Sequence, residues 1–491
     1  MEELVYTKTF ENKRILKNIL IPTTNNWKST EEKNLSILES GEKGVLFDRI
    51  INDINSAQKM ICLQSFLIQD TKIIDALLKA KREREVRIFI MDSAEARLND
   101  ARFEEDESFA TKDYKKMLDE KFKYNFVHRQ ANNLHAKYIL IDTTNNPKGY
   151  IFTGNFNEKP FFENPELAVP LSKTQVEELF KVFVYHFWEF TSDEQSEKNS
   201  FDKIKPINKF KQPKLNNILL TSPNTKLSNL KSTLIDAINK AKTNISLSTF
   251  GFDINNQVSQ NILEKLKSGV KVTVFCRPRE KSIINNIEEL AKNGAIIICH
   301  PLIHAKSLLI DNKEGYIFSA NFEDHGLNEG FEVGIKLNEK QVNDLIEIMK
   351  NWNNTFPFKY ENSITIREID TFHELNDINI KKNTTQEEIQ NKQNVAKNTN
   401  DLIRIIDIKE PQNSLAKKII FNISIKLEKF NKQIKAEDKI YKGVYLIEYG
   451  LKNKKQTTTE RAILIDKSLI ILKQELVSVI EKYKNIKIFS K

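Results

Sequence analysis

Three cysteines in 491 residues, Cys62, Cys276 and Cys299, are too scattered and odd in number for a disulfide framework. Two of them sit in apolar runs (MICLQSF and VTVFCRP), so they read as buried free thiols, and no Cys/His zinc spacing appears. No apolar run approaches the roughly 18–20 residues that a membrane-spanning helix needs. The first residues, MEELVYTKTFENKR, lack the basic start and apolar stretch of a secretory signal, so the cytoplasm is the expected location. No acidic metal cluster is visible either, and no metal or other cofactor is expected.

What is present fits a soluble globular chain: 40% hydrophobic and 29% charged residues. The length suggests about three domains. The net charge of +9 is unevenly placed. Residues 401–491 hold 20 Lys and Arg against 11 Asp and Glu, which accounts for the whole excess; residues 1–400 balance. A basic tail on a neutral body suggests a surface for polyanions, either nucleic acid or anionic lipid.

The sequence also repeats itself. LHAKYILID (134–142) returns as IHAKSLLID (303–311), each followed by GYIF and then TGN or SAN. Upstream, AQKMICLQSFLI (57–68) aligns without a gap to AKTNISLSTFGF (241–252). Each segment leads through an amphipathic helix to a Val- or Ile-rich strand without alternation, then to a second helix and strand. That rhythm predicts an α/β unit with a mainly parallel sheet, present twice. The expected organisation is an N-terminal extension (1–40), a first lobe (41–200), a linker (201–216), a second lobe (217–357), a partly disordered linker (358–400) and a small basic α+β domain (401–491). In the last, KKIIFNISIKL and KGVYLIEYGL read as strands and DKSLIILKQELVSVIEKYKN as a helix.

Side chains two apart on a strand share a face. His135 therefore projects with Lys137, and His304 with Lys306, while Ala136 and Ala305 face the other way. The next strand ends in Thr153 and Asn155, or Ser319 and Asn321. An imidazole, an ammonium, a hydroxyl and an amide make a poor apolar core and a good phosphate pocket, with hydroxyl and amide expected to donate to phosphate oxygens. Eleven residues after each asparagine stands a glutamate, Glu166 or Glu332, and a carboxylate beside an imidazole fixes its tautomer.

The pattern His-x-Lys-x4-Asp followed by Ser/Thr-x-Asn, carried twice between about residues 40 and 350, resembles the phospholipase D superfamily. The resemblance implies two lobes related by a pseudo-twofold axis, with both histidines in one site. It implies metal-independent phosphodiester chemistry through a covalent phosphohistidine, here on His135, with His304 as acid and base. The reverse assignment stays open. Lys137, Lys306, Thr153, Ser319, Asn155 and Asn321 would hold the phosphoryl charge, with Glu166 and Glu332 on the histidines. Asp142 and Asp311 match the motif's third letter, but they fall at the far end of the strand and read as structural. The sequence departs from the pattern at Phe152 and Phe318, where the family usually has glycine, and at Thr153, which replaces serine. Such a site serves nucleases, phospholipases and phosphatidyltransferases alike. The basic tail, together with Arg129, Arg277 and Arg279 near the motifs, favours a nuclease-like enzyme with a nucleic-acid partner. A phospholipid enzyme at a membrane surface is the alternative, and an inactive binding protein of the same fold is the third reading. The Arg-Ser often found after the asparagine in phosphatidyl synthases is missing.

Overall fold

A computed structural model describes residues 13–23, 27–30, 35–93, 123–197, 200–223, 225, 227–277, 281–368, 404–405, 443–453, 456–466 and 486–490. They fall into two units, residues 25–356 and residues 1–24 with 357–491.

The first unit contains both lobes. Lobe 1 runs β1 (Leu38–Glu39), α1 (Val45–Ser56), β2 (Met60–Gln64), α2 (Thr71–Arg84), β3 (Arg87–Ser93), β4 (Val127–Ala131), β5 (Tyr138–Ile141), β6 (Lys148–Phe152), α3 (Glu158–Phe162), β7 (Leu167–Pro170), α4 (Lys173–Glu189), β8 (Asp193–Glu197) and β9 (Ser200–Lys203). Lobe 2 repeats the plan with β10 (Leu219–Thr221), α5 (Leu230–Lys240), β11 (Asn244–Thr249), α6 (Gln257–Lys267), β12 (Lys271–Cys276), α7 (Lys281–Lys292), β13 (Ile296–Cys299), β14 (Ser307–Ile310), β15 (Glu314–Phe318), β16 (Glu332–Lys336) and α8 (Glu339–Thr355).

The sheets have the same strand order. Lobe 1 reads β4-β3-β2-β5-β6-β7-β1, extended past β4 by β8 and β9, and lobe 2 reads β13-β12-β11-β14-β15-β16-β10. Only β2, β3 and β4, and their counterparts β11, β12 and β13, run parallel. The rest of each lobe is antiparallel, which corrects the expectation of a mainly parallel sheet. The reason is chain length. A parallel neighbour needs a crossover of a dozen or more residues, and the few residues between β4 and β5 cannot supply one. The helix expected between β3 and β4 falls outside the described residues. Its counterpart in lobe 2 is α7.

The long helices α4 and α8 pack in one core with residues from both sheets. Val176, Leu179, Phe183 and Phe187 come from α4, and Val342, Leu345, Met349 and Trp352 from α8, at the spacing of one helical face. Each helix opens with a capping box, Ser172 with Gln175 and Asn338 with Gln341. On these helices Glu178 and Asp344 are counterparts. Glu178 accepts the backbone N–H groups of Asn216, Asn217 and Ile218 at 2.8–3.2 Å, just before β10 of lobe 2. Asp344 accepts those of Ser36 and Ile37 at 2.6 and 3.3 Å, just before β1 of lobe 1. Each lobe thus fastens the first strand of the other.

Two expected boundaries shift. β1 lies inside the segment expected as an N-terminal extension, and β9 runs from Ser200 into the expected 201–216 linker. In the second unit the strand Lys13–Pro22 pairs antiparallel with Phe358–Glu368, so the segment expected as a linker from 358 begins as a strand. Its β-branched run ITI (364–366) suits a ladder. The strand expected near 442–451 is Gly443–Asn453, paired with Gln456–Asp466 and with Ile486–Ser490. The first expected strand of this domain (417–427), its helix (466–485) and residues 369–400 lie outside the described residues, apart from Asp466 at the end of a strand. No described helix is long and apolar enough to cross a membrane.

Candidate active site

The His-x-Lys segments do not lie inside the strands; they lead into β5 and β14. Their backbones bond to the other lobe instead. The His135 N–H donates to the Phe331 carbonyl at 3.0 Å, and the Phe331 N–H returns to Asn133 at 2.8 Å. The N–H groups of His304 and Ala305 both reach the Pro165 carbonyl, at 3.1 and 3.0 Å. Proline has no N–H to give back, so the second contact is one-directional.

This exchange sets the side chains. His135 Nδ1 lies 2.7 Å from Oε1 of Glu332, and His304 Nδ1 lies 2.7 Å from Oε1 of Glu166. Each histidine is therefore oriented by the glutamate of the opposite lobe. With the glutamates ionised, Nδ1 carries the proton and Nε2 offers its lone pair. The remaining carboxylate oxygens are also engaged. Thr153 donates to Glu166 at 2.5 Å and Ser319 donates to Glu332. The same hydroxyls accept the N–H groups of Leu167 and Val333 at 2.9 and 3.0 Å. Both are fully buried. Thr153 and Ser319 thus hold the glutamates and do not face a phosphate, which corrects the donor role expected of them.

Lys137 and Lys306 are also fully buried. Lys137 Nζ donates to the His135 carbonyl. Lys306 Nζ donates to the Thr153 carbonyl at 3.2 Å and sits 2.9 Å from both ring nitrogens of His304. A nitrogen equidistant from both lies off either in-plane lone pair, so the Lys306–His304 contact is electrostatic more than a directed bond. Asn155 accepts from Ser65 at 3.5 Å, and Asn321 hydrogen-bonds Glu323.

The two pairs differ in charge. Burial pulls His135 down to about 4 although Glu332 opposes it. Burial would raise Glu332, but His135, Lys137 and Ser319 together hold it below its ordinary value. In the other pair burial wins. It pushes Glu166 up to about 7 against Lys306, Thr153, Lys137 and Arg277. His304 is lowered well below its ordinary value by burial, then by Lys306, Lys137, His135 and Arg277. Burial also brings Lys306 down to about 8 and lowers Lys137 well below the ordinary lysine value. The pocket thus holds a carboxylate–imidazole pair without an extra proton beside one that keeps a proton near neutrality.

Asp142 and Asp311 stand away from these groups. Asp142 accepts the N–H groups of Gln58, Lys59 and Met60 at 2.7–3.1 Å, and Asp311 those of Lys242, Thr243 and Asn244 at 2.7–3.2 Å. They clamp the turn between a helix and the first parallel strand. Arg129, expected near substrate, is buried: Nε bonds Glu194 at 2.6 Å, Nη1 bonds the Phe187 carbonyl at 2.8 Å, and its guanidinium stacks 4.1 Å from the Trp188 ring. It fastens β4 to β8 and α4, so it is not a substrate contact. Arg277 lies 5.5 Å from the Phe250 ring and acts electrostatically on His304 and Glu166. Arg279 lies outside the described residues. Among the described residues, no group of three or more His, Cys, Asp or Glu is placed to hold a metal ion.

The sequence reading passed over Phe66 and Phe250. They occupy the same position in the two aligned segments, and each meets a histidine edge to face, at 5.8 Å from His135 and 4.7 Å from His304. The signal was a shared aromatic just past the end of a buried strand.

Comparison with known proteins gives the same outline. A family model described as "Cardiolipin synthase, PLD-like domain" matches residues 50–188 and 234–356. The major cardiolipin synthase ClsA of Bacillus subtilis (strain 168) is 22% identical over 347 residues, covering 66% of this chain and 69% of that protein. The DISARM protein DrmC of Bacillus paralicheniformis is 26% identical over 109 residues, covering 20% of this chain and 45% of that protein. The structure of phosphatidylserine synthase from Haemophilus influenzae Rd KW20 superposes with a TM-score of 0.47 at 11% identity, covering 76% of this chain and 94% of that one. With one PLD-like domain matched in each lobe and more than half of its residues covered, this chain belongs to the phospholipase D superfamily.

Proposed function

We propose that this chain is a phospholipid phosphodiesterase or phosphatidyltransferase working through a covalent phosphohistidine on His135. The observation that carries the proposal is the reciprocal clasp, in which two imidazoles in one pocket are each held at Nδ1 by the other lobe's buried glutamate. That leaves both Nε2 atoms for chemistry, and the proton content divides the work. In the first step Nε2 of His135 attacks phosphorus, the P–O bond to the headgroup alcohol breaks, and the proton held by the His304–Glu166 pair passes from His304 Nε2 to the leaving oxygen. In the second step an incoming water or alcohol gives its proton to His304 Nε2, its oxygen bonds phosphorus, and the P–N bond breaks. Lys137 and Lys306 would act through their charge on the phosphoryl oxygens as negative charge builds there.

A phospholipid is favoured over nucleic acid because the matching family model is described as cardiolipin synthase and the relative with the broader coverage is one. The nuclease-like preference drawn from the sequence loses Arg129, which is committed to Glu194 and Trp188. The test is turnover in EDTA of phosphatidylglycerol vesicles beside labelled single- and double-stranded DNA and RNA, for wild type, His135→Ala and His304→Ala. Headgroup release or transfer from vesicles, lost in both variants, is expected. Cleavage of nucleic acid with vesicles untouched would overturn the phospholipid reading.

A further inference from the structure

The two lobes offer unlike surroundings to the same chemistry. Register makes Leu67 the counterpart of Gly251, Ser93 that of Arg277, and Asn157 that of Glu323. Around His135 these positions are apolar or neutral. Around His304 they carry a cation, a carboxylate and a vacancy where a side chain would be. The vacancy and the carboxylate fit one another: a Cβ on Gly251 would lie 2.2 Å from Oε1 of Glu323. In lobe 1 the counterpart position carries the buried Leu67. The backbone holds the two segments side by side, with the Phe322 N–H donating to Gly251 at 3.1 Å and the Asp253 N–H donating to Phe322 at 2.8 Å. Glu323 hydrogen-bonds Asn321 and interacts electrostatically with Lys306, so it faces the pocket, and it is half-buried.

A carboxylate beside a phosphate site repels the phosphoryl oxygens. Its favourable partner is a donor on whatever is attached to them. An in-line displacement places the departing alcohol opposite His135, hence on the His304 side, where Glu323 stands.

We propose that Glu323 is a specificity-determining residue that accepts a hydrogen bond from a second hydroxyl or an ammonium group of the headgroup alcohol leaving or entering beside His304. The inference rests on the phospholipid reading above and adds direction to it: headgroup towards lobe 2, diacylglycerol towards the neutral surroundings of lobe 1. Gly251 is part of the device, since its bare Cα gives the carboxylate room.

The experiment is transfer from phosphatidylglycerol vesicles to glycerol, ethanolamine or 1-propanol by the full-length chain, with hydrolysis of bis(p-nitrophenyl) phosphate run on wild type. Wild type is expected to prefer glycerol or ethanolamine over 1-propanol by about tenfold or more in kcat/KM, the size of one charge-assisted hydrogen bond. The glycerol and ethanolamine arms distinguish a hydroxyl from an ammonium donor. Glu323→Gln removes the charge, and Gly251→Ala displaces the carboxylate by pushing only on the far end of a flexible side chain. In both, the preferred acceptor's KM should rise while that of 1-propanol stays, so that the preference collapses. An equal loss for all three acceptors, or none, would make Glu323 a structural counter-charge and overturn the inference while leaving the phospholipid reading intact. Wild type that hydrolyses the aryl diester and leaves phosphatidylglycerol untouched would overturn that reading, and the inference with it.

Discussion

The two lobes share a strand order, a capping box, a carboxylate clamp under the first parallel strand and a His-x-Lys segment, yet the two histidine–glutamate pairs differ in proton content. Glu332 stays ionised beside His135, whereas burial keeps a proton on the Glu166–His304 pair up to about pH 7. A duplicated fold brings two identical side chains to one place, and what surrounds them then separates their tasks. The histidine beside the ionised glutamate suits attack on phosphorus. The one whose pair retains a proton suits delivery to a leaving group.

Replacing the histidines is the strongest way to break that comparison. His135→Ala should abolish turnover of every diester, by about 10⁴-fold or more. His304→Ala should cost about 10²–10⁴-fold with an alkoxide leaving group. With p-nitrophenolate, which leaves without a proton, it should still give a rapid first burst. Equal behaviour of the two variants on the aryl diester, read by stopped-flow absorbance, would count against divided roles.

The pH profile sharpens the same point. Activity should rise as pH passes about 4, where His135 gives up its proton, and fall as pH passes about 7, where the Glu166–His304 pair loses the proton it must deliver. Glu166→Gln should remove the descending limb at this position and Glu332→Gln should not, as initial rates between pH 3 and pH 9 would show.

Smaller effects follow from the supports. Thr153→Ala and Ser319→Ala each leave a buried carboxylate oxygen without its donor, at a cost of about 1–3 kcal/mol in denaturant unfolding. Thr153→Ser should restore most of it. Asp142→Ala should destabilise by about 1 kcal/mol through the turn it clamps. Asp311→Ala, on the more exposed turn, should cost less. Neither should change KM, because neither carboxylate reaches the pocket.

The doubled motif was legible because chemistry-bearing residue types recur at equal spacing, and the strand-helix rhythm was legible because apolar periodicity is local. The reciprocal clasp was not. Glu166 follows Asn155 in the chain at the same offset as Glu332 follows Asn321, so spacing alone pairs each glutamate with the histidine of its own lobe. Only the backbone exchange at Phe331 and Pro165 crosses them over. The same blindness made Thr153 and Ser319 look like phosphate donors, since a hydroxyl's partner is set in space and not in sequence. Arg129 misled for a related reason: the sequence shows its nearness to a motif but not Glu194, which returns from the far side of α4 to meet it. The antiparallel half of each sheet, by contrast, was readable in principle from the short β4–β5 connection.

The central claim is that one site made by two lobes gives covalent bonding to one histidine and proton transfer to the other. Peptide mapping by mass spectrometry after acid-free quenching of the His304→Ala variant with bis(p-nitrophenyl) phosphate tests it most directly. A p-nitrophenyl phosphoryl group bonded to nitrogen on the peptide carrying His135, absent from His135→Ala, is the predicted result. No adduct on the His135 peptide, or an adduct on His304 in the His135→Ala variant, would contradict it.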